Sequence, residues 1–256
     1  MKAGIEGDIG KEILFYNTVN STNTIAAELA ERGAPEGLVV LADSQQKGRG
    51  RLGRTWLSPP GVNIYMSIIL RPVLKPRDIT LITLMAAISC TIALRRATGL
   101  KAEIKWPNDL MVSNKKIGGI LTELKMSPER IIFAVTGIGI NVNVDISEFA
   151  DEVKEIATSV KNETGIPHSR TVLIREILDE TDRWRRFLNN EEGRKRLLSE
   201  WQHLTSTLGK KVMVIVGKER FTGLAESIDD MGMLILRLSS GELKKISSGD
   251  LTILRG

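Results

Sequence analysis

Cysteine occurs once, at Cys90, and histidine only at His168 and His203. One cysteine excludes an internal disulfide, and the three residues together cannot build a Cys/His zinc cluster, so thiol and zinc mechanisms fit the chain poorly. Long hydrophobic runs are also missing. The longest, Ile79 to Leu94, is broken by Thr80, Thr83, Ser89 and Thr91 and falls short of the roughly 20 residues of a membrane span, so no membrane role is expected. The opening MKAGIEGDIGKEILFY has no basic stretch followed by an apolar one, which predicts no secretion signal and a cytoplasmic location. Internal repeats and low-complexity tracts are absent. Neither charge sign dominates: 36 Lys and Arg against 31 Asp and Glu give +5. That balance favours anionic partners without the basic density of a dedicated nucleic-acid binder.

What is present reads as globular: 42% hydrophobic and 26% charged over 256 residues, enough for one large domain or one large and one small. Ile13 to Tyr16 reads as a strand, and Ser21 as the N-cap of a helix from Thr22 to Arg32 that ends at Gly33. Leu38 to Ser44 and Asn63 to Leu70 read as strands around a long Gly/Arg/Pro loop. Asp78 reads as the cap of a helix from Ile79 to Thr98, apolar on nearly all sides and stopped by Gly99, which predicts a central core helix. Glu103 to Lys105, Asp109 to Val112, Ile117 to Lys125 and Arg130 to Ile138 predict an antiparallel meander. Two helical stretches follow, Thr171 to Asn190 and Glu192 to Leu204, with Trp184, Phe187, Leu188, Leu197, Leu198 and Trp201 facing inward. From Leu208 five short strands separated by turn residues predict a small barrel, too small to be very stable alone. The expected domains are therefore 1–207 and 208–256.

Three segments carry chemistry. Gly48 to Gly53 (GRGRLG) satisfies G-x-G-x-x-G, but TWLSPPG and a strand follow where a dinucleotide site needs a helix and a later acidic residue. A kinase reading also fails, because no VAIK, HRD or DFG segment accompanies it. What the loop does hold is Lys47, Arg49, Arg51 and Arg54 with no acidic residue among them. Its glycines let backbone amides approach a ligand, which suits an anion. The repulsion among the four cations and the freedom of the glycines predict that the loop from Gln45 to Gly61 is mobile without ligand.

The second segment, Lys105 to Glu123 (KWPNDLMVSNKKIGGILTE), turns at Pro107 and Asn108 and carries Gly118 and Gly119 inside a strand. Such a pair marks a bulge or close approach by a ligand, and Lys116 stands just before it. The third, Gly137 to Asn143 (GIGINVN), has glycines at strand period that leave one sheet face bare. Asn141 and Asn143 add amide donors and acceptors.

Taken together, NSTN, QQKGRGRLGRTWLSPPG, KWPNDL...KKIGGILTE and GIGINVN resemble the biotin protein ligases in motif, order and spacing. The resemblance continues through Leu208 to Arg255. It implies an α+β fold: a mixed, largely antiparallel sheet with helices, the class II synthetase-like ligase core, plus a small C-terminal SH3-like β-barrel. It also implies that ATP activates biotin as biotinyl-5'-AMP, and that biotin then passes to one lysine of a biotin carboxyl carrier protein.

Carried over residue by residue, the resemblance places biotin on Ser21, Thr22, Asn23, Gln45, Gly48, Arg49, Gly50, Arg51, Lys116, Gly118, Gly119 and Gly137. ATP or the adenylate falls to Arg49, Arg51, Arg54, Trp56, Asn108, Lys116, Gly139 and Asn141, with Arg49 and Arg54 on phosphates. Lys116, Arg51, Arg49 and Asp109 are the implied catalytic group, Asp109 orienting or deprotonating the acceptor amine. Magnesium is implied as the companion of ATP, held by phosphates and water rather than by a protein metal site. About a dozen residues precede the first strand, too few for a winged helix, so specific DNA binding is not expected; a homodimer is. Two alternatives remain open at this point: a lipoate-type protein ligase, and a basic nucleic-acid-binding protein carrying a small barrel.

Overall fold

The computed structural model describes residues 7–254. Seven strands form the main sheet: β1 (Ile13–Val19), β2 (Val39–Gln45), β3 (Ile64–Leu70), β4 (Glu103–Lys105), β5 (Asp109–Val112), β6 (Lys115–Met126) and β7 (Ile131–Ile140). Their spatial order is β1-β2-β3-β7-β6-β5-β4. Only β1 and β2 run parallel; every other neighbour is antiparallel. The expected meander is present, and β6 begins two residues earlier than the sequence pattern suggests, which places Lys116 in the strand. Ser113 and Asn114 both take left-handed backbone (φ 51° and 62°), the two-residue hairpin geometry that matches strand twist.

Helices cover both faces of the sheet. On one face lies α1 (Thr22–Glu31), whose Ala26 and Ala30 pack against Leu38, Val40, Ile69, Phe133 and Val135. On the other lies α2 (Ile79–Thr98), backed by α5 (Arg170–Arg185) and α6 (Glu191–Leu204). By length and hydropathy the stretch Pro76–Thr98 could cross a membrane, but 78% of its apolar window is buried inside the protein, which makes it the core helix. Trp184, Leu188, Leu197, Leu198 and Trp201 are buried as expected, and Phe187 packs partly buried against them.

Three details differ from the sequence reading. Ser21 and Asp78 occupy N-cap positions yet make no capping hydrogen bond; Asp78 is buried near Arg77 and Arg194 instead, at 3.7 and 3.5 Å. The stretch expected as one helix to Asn190 tightens into a 3-10 turn at Arg186–Asn189. Two short helices, α3 (Asp151–Ile156) and α4 (Val160–Thr164), occupy a region without helical periodicity. Ser159 caps α4 by accepting from the Asn162 amide at 3.1 Å, a local bond that periodicity does not reveal.

Beyond α6, β8 (Lys211–Val216), β9 (Glu219–Ile228), β10 (Leu234–Leu238), β11 (Leu243–Ile246) and β12 (Asp250–Ile253) form an antiparallel sheet in the order β11-β10-β9-β8-β12. Its buried Val212, Val214, Ala225, Leu234 and Leu236 join the same contiguous core as α2 and the main sheet. Trp106, 1% exposed, fastens the two parts together. Its Nε1 donates to the Gly232 carbonyl at 3.1 Å and its backbone amide to Thr207 Oγ1 at 2.9 Å.

Candidate active site

The odd residues of β3 and β7 face α1, so Ser67, Gly137 and Gly139 line the sheet under the helix N-terminus. Asn23 occupies the space over Gly137, where a Cβ would fall 2.1 Å from its Oδ1. The buried Asn23 amide is satisfied on both sides: Nδ2 donates to Glu123 Oε2 at 2.7 Å and the Leu121 carbonyl at 3.2 Å, while Oδ1 lies 2.6 Å from the Ser67 hydroxyl. Gln45 Oε1 accepts from the Thr22 backbone amide at 2.9 Å, and Gln45 Nε2 donates to Ser58 at 3.0 Å. A row of short polar groups is thus fixed in register, because each is hydrogen-bonded to a strand or to its neighbour.

The arginine loop is a small hairpin. Arg49 bridges to Thr55, the Gly50 amide donates to the Arg54 carbonyl at 2.7 Å, and the Trp56 amide donates to the Gly48 carbonyl at 2.9 Å. Gly48 has no room for a side chain, since a Cβ there would lie 2.3 Å from the Trp56 carbonyl oxygen. At the tip, Leu52 takes φ 55° and is 71% exposed, a strained conformation for a branched residue. Of the four loop cations expected to repel one another, the three arginines have acidic or carbonyl partners from distant parts of the chain. Arg49 donates to Glu123 at 2.8 Å, Arg51 to Asn108 Oδ1 at 2.9 Å and the Gly249 carbonyl at 3.3 Å, and Arg54 to both oxygens of Asp250. Burial lowers the Arg51 pKa, with Asp109 and Asp250 opposing that, and the bond to Asp250 raises that of Arg54.

Lys116, on β6, lies 2.5 Å from Asp109 Oδ1, and Lys105 lies 3.1 Å from Oδ2. Burial alone would raise the Asp109 pKa; the charges of Lys116 and Lys105 and their hydrogen bonds outweigh it, so the carboxyl sits below its ordinary range. Trp56 lies against the paired glycines Gly119 and Gly139, where a Gly139 Cβ would come within 2.7 Å of the indole. Lys116 Nζ stands 5.6 Å from the ring centroid, and Trp56 Nε1 is buried without a partner. Gly118 is needed for strand approach, its Cβ position being 2.8 Å from the Gly139 carbonyl oxygen.

Two hollows meet at Trp56 and Lys116. A tight one of about 50 Å³ is lined by Ser21, Thr22, Asn23, Gln45, Arg49 and Gly137 among others. A cleft of about 650 Å³ runs between the main sheet and the barrel, lined by Arg54, Lys105, Asp109, Asn141 and Asp250 among others. The predicted site residues therefore converge, with Asn108 held between Arg51 and the Ile120 carbonyl and Asn141 anchored on the Thr158 carbonyl. Sequence reasoning missed Ser67, Lys105, Glu123 and the Gly249–Asp250 turn. Glu123 had a readable signal: it shares a face of β6 with Gly119 and Leu121 at strand period. Asp250 had none, lying 196 residues from Arg54.

Residues 14–143 match the Biotin/lipoate A/B protein ligase family, and residues 207–251 the Biotin protein ligase C terminal domain. The bifunctional ligase/repressor BirA of Bacillus subtilis (strain 168) is 36% identical over 255 residues, 99% of this chain and 78% of that protein. The biotin--[acetyl-CoA-carboxylase] ligase of Paracoccus denitrificans is 34% identical over 227 residues, 87% of this chain and 92% of its own length. Among solved structures, the biotin protein ligase from Aquifex aeolicus in complex with biotin and ATP superposes with a TM-score of 0.80 at 28% identity, covering 96% of this chain and 100% of that one. The fold, the loop chemistry and these likenesses agree, and the chain belongs to the biotin/lipoate A/B protein ligase family.

Proposed function

We propose that the chain is a biotin protein ligase that joins biotin to ATP as biotinyl-5'-AMP and passes the biotinyl group to a lysine of a biotin carboxyl carrier protein. The observation that carries this reading is the set of fixed cations Lys116, Lys105 and Arg51 around a cleft whose described lining includes no histidine or cysteine. A carboxylate is ionised at neutral pH and needs no general base to attack the α-phosphorus. It needs its charge, and that of the triphosphate, neutralised in place. Attack forms the carbon-bound oxygen to phosphorus bond and expels pyrophosphate, with Lys116 facing the reacting groups and Arg51 the phosphate.

Ser21, Thr22, Asn23 and Gln45 offer donors and acceptors suited to a ureido ring. Trp56, lying against Gly119 and Gly139 of the paired strands, suits stacking with adenine, and Asn108 and Asn141 suit the adenylate's polar edge. In the second step the neutral acceptor amine attacks the mixed anhydride and AMP leaves. Asp109, held at a low pKa by two lysines, is a weak base, so its part is to orient those lysines. Magnesium entering with ATP would rest chiefly on the phosphates and water.

The same reading puts the enzyme in the cytoplasm, where an unpaired thiol such as the buried Cys90 stays reduced. The test is biotin-dependent exchange of labelled pyrophosphate into ATP, followed by labelling of a carrier-domain lysine. Exchange driven by lipoate and not by biotin would overturn the assignment in favour of a lipoate-type ligase.

A further inference from the structure

The barrel grips the arginine hairpin at two points. Asp250, at the start of β12, accepts from both terminal nitrogens of Arg54, and the adjacent Gly249 carbonyl accepts from Arg51 at 3.3 Å. The two arginines flank the strained Leu52 tip, so the contacts hold the hairpin from both sides of its turn. A guanidinium whose fork is spent on a carboxylate cannot present the same fork to a phosphate. The gripping turn is itself tightly packed: a Cβ on Gly249 would lie 2.7 Å from Val214 Cγ1 and 2.9 Å from the Ile215 carbonyl oxygen. The barrel behind it is tied to the main domain by Trp106, two residues before the Asn108 that also holds Arg51.

We propose that Asp250 is a positioning residue that latches the arginine hairpin to the barrel, with Arg54 as the strut, so that Arg51 and Trp56 stand over the nucleotide cleft. This rests on the ligase reading above and revises the expectation that Arg54 holds a phosphate. The pair is 64% and 34% exposed, and exposed ion pairs contribute little to global stability. Its loss therefore acts on the placement of the hairpin, not on whether the protein folds.

The experiment is a charge-swap cycle on the full chain: Arg54→Asp, Asp250→Arg, and both together. Two readouts are taken, the KM for ATP in biotin-dependent pyrophosphate exchange and the hydrogen-exchange rate of the amides from residue 48 to 56 without ligand. Each single variant is expected to raise the KM for ATP about tenfold and to speed amide exchange comparably, as residues in contact commonly couple. The swap is expected to recover both to within about threefold, with the melting temperature of all variants unchanged. A swap no better than the worse single variant overturns the latch, because an arginine that touches phosphate cannot be rescued from the barrel. An Asp250→Arg protein with both readouts unchanged also overturns it. If the unaltered protein shows no biotin-dependent exchange, the ligase reading fails, and the amide rates of the cycle still decide the latch.

Discussion

Lys116 and Lys105 share one half-buried carboxylate: Asp109 presents Oδ1 to the first at 2.5 Å and Oδ2 to the second at 3.1 Å. One anion thus aims two ammonium groups at the same cleft and leaves the cluster a net positive charge for a phosphate. Lys116→Gln is expected to cut adenylate formation about 100- to 1000-fold, the usual loss for one preorganised charge in a transition state. Lys116 is partly exposed on a strand edge of the cleft, so the variant opens no core cavity and should keep its circular dichroism and melting temperature. Near-normal pyrophosphate exchange in the folded variant would remove Lys116 from the mechanism.

The pH dependence follows from the direction of the Asp109 shift. Its folded pKa lies below the ordinary 3.8, so the ion pairs are fully present above that value and are lost only as pH falls through the lower folded one. The KM for ATP is expected to stay flat as pH falls from about 7 to 5, a range well above ordinary carboxylate values. Asp109→Asn should raise it at every pH in that range. An acid limb centred above pH 5 that disappears in Asp109→Asn would contradict the assignment.

Glu123 holds Arg49 at 2.8 Å and Asn23 at 2.7 Å, tying the hairpin to the polar row at the α1 N-terminus. Glu123→Gln keeps the shape and weakens both charge-assisted bonds. The expected result is a roughly tenfold higher KM for biotin with the KM for ATP little changed, read by steady-state exchange kinetics. An effect on ATP alone would place Glu123 in the wrong half of the site.

Gly139→Ala would set a methyl group 2.7 Å from the Trp56 indole. Overpacking of this kind costs about 1–3 kcal/mol unless the ring moves, and movement of the ring removes it from the nucleotide cleft. We expect weaker ATP binding with biotin binding retained, measured by tryptophan fluorescence titration. Unchanged nucleotide affinity would show that Trp56 stacks on nothing there.

Trypsin should distinguish an open hairpin from a closed one at Lys47, Arg49, Arg51 and Arg54. The in-chain partners of the three arginines slow cleavage in the free protein relative to a bare loop, and biotinyl-adenylate should slow it severalfold more by adding an anion for Arg51. A cleavage rate independent of saturating adenylate would mean that the hairpin does not close over the ligand.

The strands, α1, α2, the barrel and the three chemistry-bearing segments were legible in the amino-acid sequence because each depends on local rules: period-two and period-3.6 apolarity, glycine and proline turns, and contiguous motifs. Gly118, Gly119, Gly137 and Gly139 announced close backbone approach. What fills the space over Gly137 and Gly139 is protein, Asn23 and Trp56, and only the seating of α1 and the arginine hairpin on the sheet reveals that. The arginine loop looked like a run of unbalanced charge because its partners Glu123, Asn108 and Asp250 lie 74, 57 and 196 residues away. Pairing over such separations leaves no periodic trace along the chain; it is decided when the sheet sets its strand order and Trp106 seats the barrel beside it. Local sequence therefore determined which groups this protein has for anion chemistry, and the tertiary structure decided which of them remain free to use it.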